Sequence, residues 1–260
     1  ARQGFTIEQM VAMAKETKQQ SHQAIKTDPF LSMVNETGPF RSASLVEKLT
    51  PKAINYAVEW VGALRSEVGW DFEIMVDAHA RFDVASSIAA ARELESMKLI
   101  WFEEPVPPES YDALKEFREN SNVSISVGES LFTRYDFVPV LQDRLADFVM
   151  PDIAWTGGIS ELRRIASLAE SYYVPFTPHD ALGPIAIAAT FQVCMATPNL
   201  YRQECIHDWF DSFSKIVTHT MDYHDGCFWP SDRPGIGTEL IHEEVERYAV
   251  PSSQGRFSTY

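Results

Sequence analysis

Basic residues are scarce: 22 Lys and Arg face 37 Asp and Glu in 260 residues, a formal net charge of −15. Nucleic-acid-binding domains are normally basic, so this balance argues against a nucleic-acid partner. It does not forbid an anionic small molecule, because one local cation can dominate a site. Cysteine is also scarce. Cys194, Cys205 and Cys227 have no CxxC or zinc-ligand spacing, and their odd number argues against a disulfide framework. They read as core thiols in a reducing compartment, which points to the cytoplasm. No run approaches the ~20 apolar residues of a membrane span, and no signal peptide is evident. A glycine-rich phosphate loop after an early strand is missing, which argues against a doubly wound dinucleotide-binding sheet. The chain opens Ala1-Arg2-Gln3-Gly4 and reads as the middle of a longer protein.

What is present is alternation. Apolar residues make up 45% and charged residues 23%, enough for a large core. Candidate strands lie at 23–27, 72–77, 99–104, 125–129, 148–152, 174–179 and 200–206. Between them, helical stripes recur at 51–65 (Ile54, Ala57, Val58, Val61, Leu64), 84–97 (Ile88, Ala91, Leu94) and 160–172 (Leu162, Ile165, Leu168, Ala169), the last with Ser160 as a candidate N-cap. Strand–helix alternation implies parallel strands, and continuous apolar strands imply a sheet buried on both faces. The expectation is an α/β chain folded as a (β/α)-barrel with seven of eight strands present, its first strand lying outside the sequence. Barrel units would fill about 1–217, with a loop-rich tail from about 218 to 260. Segment 28–50 is a long insertion at a strand's C-terminal end, where barrel enzymes keep their sites.

Three of the predicted strands end in acids: Asp77, Glu103 and Glu129, spaced 103 − 77 = 26 and 129 − 103 = 26. Equal spacing at strand ends brings the three carboxylates to one rim of a barrel. Left alone they repel and raise one another's pKa; a divalent cation resolves this, and an oxygen-only ligand set favours Mg²⁺. Glu104 competes with Glu103, but alternation turns only one of two neighbours inward.

Further strand ends carry Asp152 (MPD) and His179 (TPH), followed by Glu204 (RQE). Consecutive strand ends place Asp152 and His179 within reach, and a buried carboxylate fixes an imidazole's tautomer and supports it as a base. His79, two residues beyond Asp77, reaches the same cavity as a general acid if the strand continues. Lys26, ending the first visible strand, offers a cation to a substrate carboxylate or enolate.

The ordered series VDAHAR, WFEEP, SVGES, MPDIAWTGGI, TPHDALGP and RQE resembles the mandelate racemase subgroup of the enolase superfamily, and most closely its sugar-acid dehydratases of the galactonate and gluconate type. The resemblance runs from about residue 5 to about 240. It implies a C-terminal barrel domain spanning 1–260, whose N-terminal α+β capping domain lies outside this chain and meets the tail. It further implies Mg²⁺ on Asp77, Glu103 and Glu129, and a base dyad of His179 and Asp152. Glu204 becomes a protonated donor to the enolate, and His79 the acid for the departing hydroxyl. Lys26 matches the first lysine of a Lys-x-Lys motif whose second lysine is replaced by Asp28. The implied activity is Mg²⁺-dependent dehydration of a small sugar acid to a 2-keto-3-deoxy acid, by a homo-oligomer. An epimerase or cycloisomerase of a related acid is the alternative within that superfamily, and an inactive truncated barrel is the alternative outside it.

Overall fold

The computed structural model describes residues 5–30, 48–206 and 209–248. It opens with helix α1 (Ile7–Gln19), started by a capping box between Thr6 and Gln9. Strand β1 (Ala24–Thr27) follows, and then α2 (Pro51–Val68), where Thr50 caps the first turn and Pro51 fills a position that needs no N–H donor. Strand β2 (Glu73–Asp77) and α3 (Val84–Leu94) form the next unit; β3 (Phe102–Glu103) and α4 (Tyr111–Asn120) the one after. Strand β4 (Ile125–Val127) leads to α5 (Thr133–Gln142), and β5 (Phe148–Val149) leads through the short α6 (Ile153–Thr156) to α7 (Ile159–Ser171). Beyond these lie α8 (Pro184–Met195), α9 (Phe210–Phe213), a hairpin of β6 (Asp222–His224) and β7 (Cys227–Trp229), and α10 (His242–Tyr248).

The five strands β1 to β5 pair in chain order and in parallel. Parallel bridges continue the order: Val149 to Phe176 and Asp152 to His179, then Phe176 to Leu200. All seven predicted strand positions therefore follow one another as staves of a barrel. The sixth and seventh are held by single bridges instead of ladders.

Alternation sorts the stave side chains into two sets. Ile74, Val76, Phe102, Ile125, Val127, Val149 and Phe176 face the helices and join the main core. Met75, Trp101 and Met150 form a second cluster, with Ala24, Ile100 and Phe148, on the inner side. Tyr201 closes that cluster edge-on to Phe148 at 5.2 Å and Trp101 at 6.3 Å. Glu73, on the same face as Met75, accepts from Tyr201 Oη at 2.9 Å and Arg202 Nε at 2.6 Å. Thus β2 and the seventh stave are tied across the inner floor by side chains. Each large apolar side chain taken fully from water contributes about 1.5–3 kcal/mol, so this floor is a stable base for the opposite rim.

Two local expectations are corrected. Gly158, not Ser160, is the N-cap of α7, because the chain arrives there with φ +85° and offers no side-chain cap. Of the cysteines, only Cys194 is buried; Cys205 is half-buried and Cys227 is exposed on the hairpin, and all three are unpaired. Of the predicted 28–50 insertion, residues 31–47 lie outside the described residues. No described helix is long and apolar enough to cross a membrane.

Candidate active site at the carboxyl rim of the staves

The rim is built on β2 and β3. Asp77 and Glu103 are register partners at the ends of these strands, so their carboxylates project from the same layer. Glu129 is not in that layer: Glu103 pairs with Ser126, and Glu129 lies beyond the end of β4. Gly128 brings it back. Its φ is +146°, and a Cβ there would lie 2.7–2.9 Å from the backbone of Met150. The glycine lets the chain press onto β5 and turn, and Glu129 rejoins the cluster. One carboxylate oxygen each from Asp77, Glu103 and Glu129 then lies within 4.8 Å of the others, a grouping that could hold a metal ion. The equal spacing of 26 residues therefore arises in two ways, by register for the first pair and by a turn for the third.

The donor set fits a hard divalent cation. It is all oxygen. Among the described residues, Glu129 Oε2 is buried with no hydrogen-bond partner, although His179 Nε2 sits 3.2 Å away as an ion-pair neighbour. Burial and the neighbouring acids raise the pKa of Glu103 despite Lys26, and those of Glu129 despite its cationic neighbours. A cation would relieve that strain. Glu103 is held in place by Trp101 Nε1, which donates to its Oε2 at 2.8 Å. Glu104 takes another part: its backbone turns to φ +41°, and its Oε1 accepts from Gly128 N at 2.7 Å. Burial, reinforced by Glu129, pushes its carboxyl up to about 8.

Lys26 points into the same space. Its Nζ lies 2.5 Å from Glu103 Oε1, 2.6 Å from Glu204 Oε1 and 3.6 Å from Asp77 Oδ2. Burial alone would lower its pKa, but the surrounding carboxylates raise it well above the ordinary value. Glu204 is shifted the other way. Burial raises its pKa, yet Lys26 and His179 outweigh burial and hold it below the ordinary range. An ammonium thus sits against the carboxylate that the resemblance makes a donor to the enolate.

Asp152 and His179 meet as their strand ends predict. His179 Nδ1 and Asp152 Oδ2 are 2.7 Å apart, and Asp152 Oδ1 accepts from Ala154 N at 2.7 Å as the N-cap of α6. One carboxylate thus caps a helix and orients an imidazole. His179 Nε2 faces Glu129 at 3.2 Å and Glu204 at 3.9 Å. Burial works to lower the His179 pKa, but Asp152 and the other acids raise it.

His79 reaches the cluster by another route than an extended strand. Strand β2 stops at Asp77, whose Oδ1 accepts from His79 N at 2.7 Å, and both His79 and Ala80 are left-handed at φ +51°. This turn aims the imidazole back at the rim, with Nε2 3.2 Å from Asp77 Oδ2 and Nδ1 2.9 Å from Asp28 Oδ2. Burial would lower its pKa; the Asp28 hydrogen bond and the fields of Asp77, Asp28 and Glu129 raise it to about 9.

Asp180 is a site acid that no pattern in the sequence singles out. It is buried beside His179, its N–H donates to Glu204 Oε2 at 3.2 Å, and burial pushes its carboxyl up to about 8. Gln203 Nε2 lies 3.3 Å from its Oδ2. Adjacency to His179 was the one available signal. A groove of about 540 Å³ lined by Arg134, Tyr135, Arg163 and Arg164 shares no residue with the rim.

Residues 9–245 match the family described as Enolase C-terminal domain-like. The chain is 32% identical over 201 residues to a D-galactonate dehydratase family member of Streptomyces bingchenggensis, covering 76% of this chain and 49% of that protein. It is 27% identical over 242 residues to the D-gluconate dehydratase of Thermoproteus tenax, covering 93% and 46%. The crystal structure of a mandelate racemase/muconate lactonizing enzyme-like protein from Rubrobacter xylanophilus superposes with a TM-score of 0.85 at 35% identity, covering 95% of this chain and 62% of that one. The chain therefore spans about half the length of the curated relatives it matches.

Proposed function

The chain belongs to the enolase C-terminal domain-like family, and on that premise we propose that it carries the active site of a Mg²⁺-dependent sugar-acid dehydratase. The reaction removes the proton α to a carboxylate and eliminates the β-hydroxyl as water, leaving an enol that tautomerises to a 2-keto-3-deoxy acid. One observation carries this reading. Two imidazoles flank the carboxylate trio, His79 against Asp77 and His179 against Glu129. Dehydration needs both a base and an acid.

Asp77, Glu103 and Glu129 would hold Mg²⁺, which when bound supplies positive charge against the second negative charge that the substrate carboxylate acquires. His179 takes the α-proton at Nε2, since Asp152 occupies Nδ1. Lys26 is a fixed cation beside the developing negative charge. Glu204 lies against Lys26, and its protonated form would donate to the developing enolate. His79 protonates the departing hydroxyl. Named dehydratases of galactonate and gluconate among the relatives support the substrate class. A homo-oligomer in the cytoplasm completes the proposal; of the tail from about 218 to 260, residues 249–260 lie outside the described residues.

The test is a screen of D-galactonate, D-gluconate, D-xylonate and D-mannonate for 2-keto acid formation by the full-length protein with Mg²⁺. His79→Asn should abolish water loss and spare exchange of the α-proton with deuterated solvent. Equal loss of both would remove His79 from the acid's role, and product isomeric with substrate would identify an epimerase.

A further inference from the structure

Asp28 stands where the resemblance leads one to expect a second lysine, and it is not a vacant substitute. We propose that Asp28 is the positioning residue for His79: its carboxylate takes the imidazole Nδ1–H and leaves Nε2 as the atom that delivers the proton to the leaving hydroxyl. This rests on the dehydratase reading above and deepens it.

Three groups of the described residues converge on the Asp28 carboxylate. Its Oδ1 accepts from Phe30 N at 2.9 Å, and Phe30 is anchored in the core edge-on to Phe82 at 5.0 Å. Its Oδ2 accepts from Arg81 Nη2 at 2.6 Å and faces His79 Nδ1 at 2.9 Å. Arg81 is itself tied down: its Nε donates to Ala78 O at 3.1 Å, and its guanidinium lies over the Phe82 ring at 5.3 Å. An ionised carboxylate accepts and cannot donate, so the proton between Asp28 and His79 sits on Nδ1. That fixes Nε2 as the exchanging nitrogen, and Nε2 is the atom turned to the carboxylate trio.

The arrangement repeats the polarity of the other pair. In both, Nδ1 meets an aspartate, at 2.9 Å for Asp28 and 2.7 Å for Asp152, while Nε2 faces a trio carboxylate at 3.2 Å. The need for an orienting partner is greater at His79. Its side chain is 47% exposed, against 13% for His179, and it sits on a left-handed turn. Packing leaves nearly half of this ring uncovered, so its orientation rests on its polar contacts, Asp28 at Nδ1 and Asp77 at Nε2.

The test separates proton delivery from fold. Two substrates are compared with the full-length protein: the sugar acid it dehydrates, and the same acid with fluorine in place of the β-hydroxyl. Fluoride leaves with the C–F electron pair and needs no proton, whereas hydroxide must be protonated to leave as water. Asp28→Asn should lower kcat for water loss on the order of 10²-fold, the lower range of a general acid's contribution, with KM little changed and fluoride loss near wild type. A fall in both reactions would make Asp28 merely structural, and unaltered water loss would remove it from the mechanism. The proton is also read without turnover. Proton NMR of the wild-type chain should show a strongly downfield Nδ1–H resonance that vanishes in His79→Asn; its absence from the wild type would overturn the proposal even if Asp28→Asn folds poorly. Intact water loss in His79→Asn, or no dehydration of any sugar acid, would sink the dehydratase reading and this inference with it. A silent Asp28→Asn beside an inactive His79→Asn would sink this inference alone.

Discussion

Replacing Gly128 with alanine tests how the third acid reaches the rim. Two separate penalties act at this position. The backbone φ of +146° is a conformation that L side chains rarely adopt, and a new Cβ would stand 2.7–2.9 Å from Met150 C, N and O. Holding a non-glycine residue in such a region costs about 1–3 kcal/mol, and forcing an atom into packed backbone costs about 1–3 kcal/mol more. Met150 cannot swing aside, because its N–H is bonded to Val127 O at 2.8 Å. The sum, about 2–6 kcal/mol, is a large part of the roughly 5–15 kcal/mol that keeps a domain folded. Gly158→Ala is the control: its φ is +85°, but no atom of the described residues lies within 4 Å of the added Cβ, so it meets only the first penalty. Urea unfolding of the full-length protein, with midpoints and slopes compared, should rank Gly128→Ala well below Gly158→Ala. Divalent-cation affinity should fall in the first variant alone, since Glu129 is the next residue. Equal destabilisation of the two, or unchanged metal affinity in Gly128→Ala, would refute the argument.

Asp152→Asn should slow α-proton exchange by roughly 10²–10⁴-fold with little change in KM, because an amide cannot enforce the Nδ1–H tautomer of His179; deuterium incorporation followed by NMR checks this, and an exchange rate near wild type contradicts it. Asp180 makes a prediction about pH. Its folded carboxyl titrates at about 8, far above the ~3.9 of an unfolded chain. Between those values the unfolded chain releases a proton that the folded one keeps. Stability therefore falls as pH rises from about 4 to about 8, by at most about 1.4 kcal/mol per pH unit, and levels off above. Asp180→Asn should flatten this slope in unfolding experiments at several pH values; the same slope in both proteins would show that Asp180 is ionised in the fold.

Much of this site was legible because strand ends carry it. Asp77 and Glu103 share register, and Asp152 and His179 share a bridge, so spacing along the chain maps directly onto distance. The seven staves and the three helical stripes follow from apolar period, which is what burial selects.

What was not legible depends on backbone direction and burial. Glu129 has the right spacing for a reason spacing does not reveal, the turn at Gly128. His79 reaches the rim by a left-handed turn, not by continuing β2. Asp28 reads in one dimension as a missing lysine; two of its partners are 51 and 53 residues away, at His79 and Arg81. Alternation would turn Glu104 away from the site and nothing but adjacency marks Asp180, yet the fold buries both. The lowered pKa of Glu204 follows from Lys26, whose position against it no motif encodes.

The central claim is that Asp77, Glu103 and Glu129 act together on one divalent cation. Its most direct measurement is a thermal-shift titration of the full-length protein with Mg²⁺, beside Glu129→Gln. Binding to the folded state alone stabilises by about 2.7 kcal/mol at a hundred times the dissociation constant. A saturable rise in Tm for wild type, displaced to much higher Mg²⁺ in Glu129→Gln, is the predicted result; a wild-type Tm indifferent to Mg²⁺, or identical titrations for the two proteins, would contradict it.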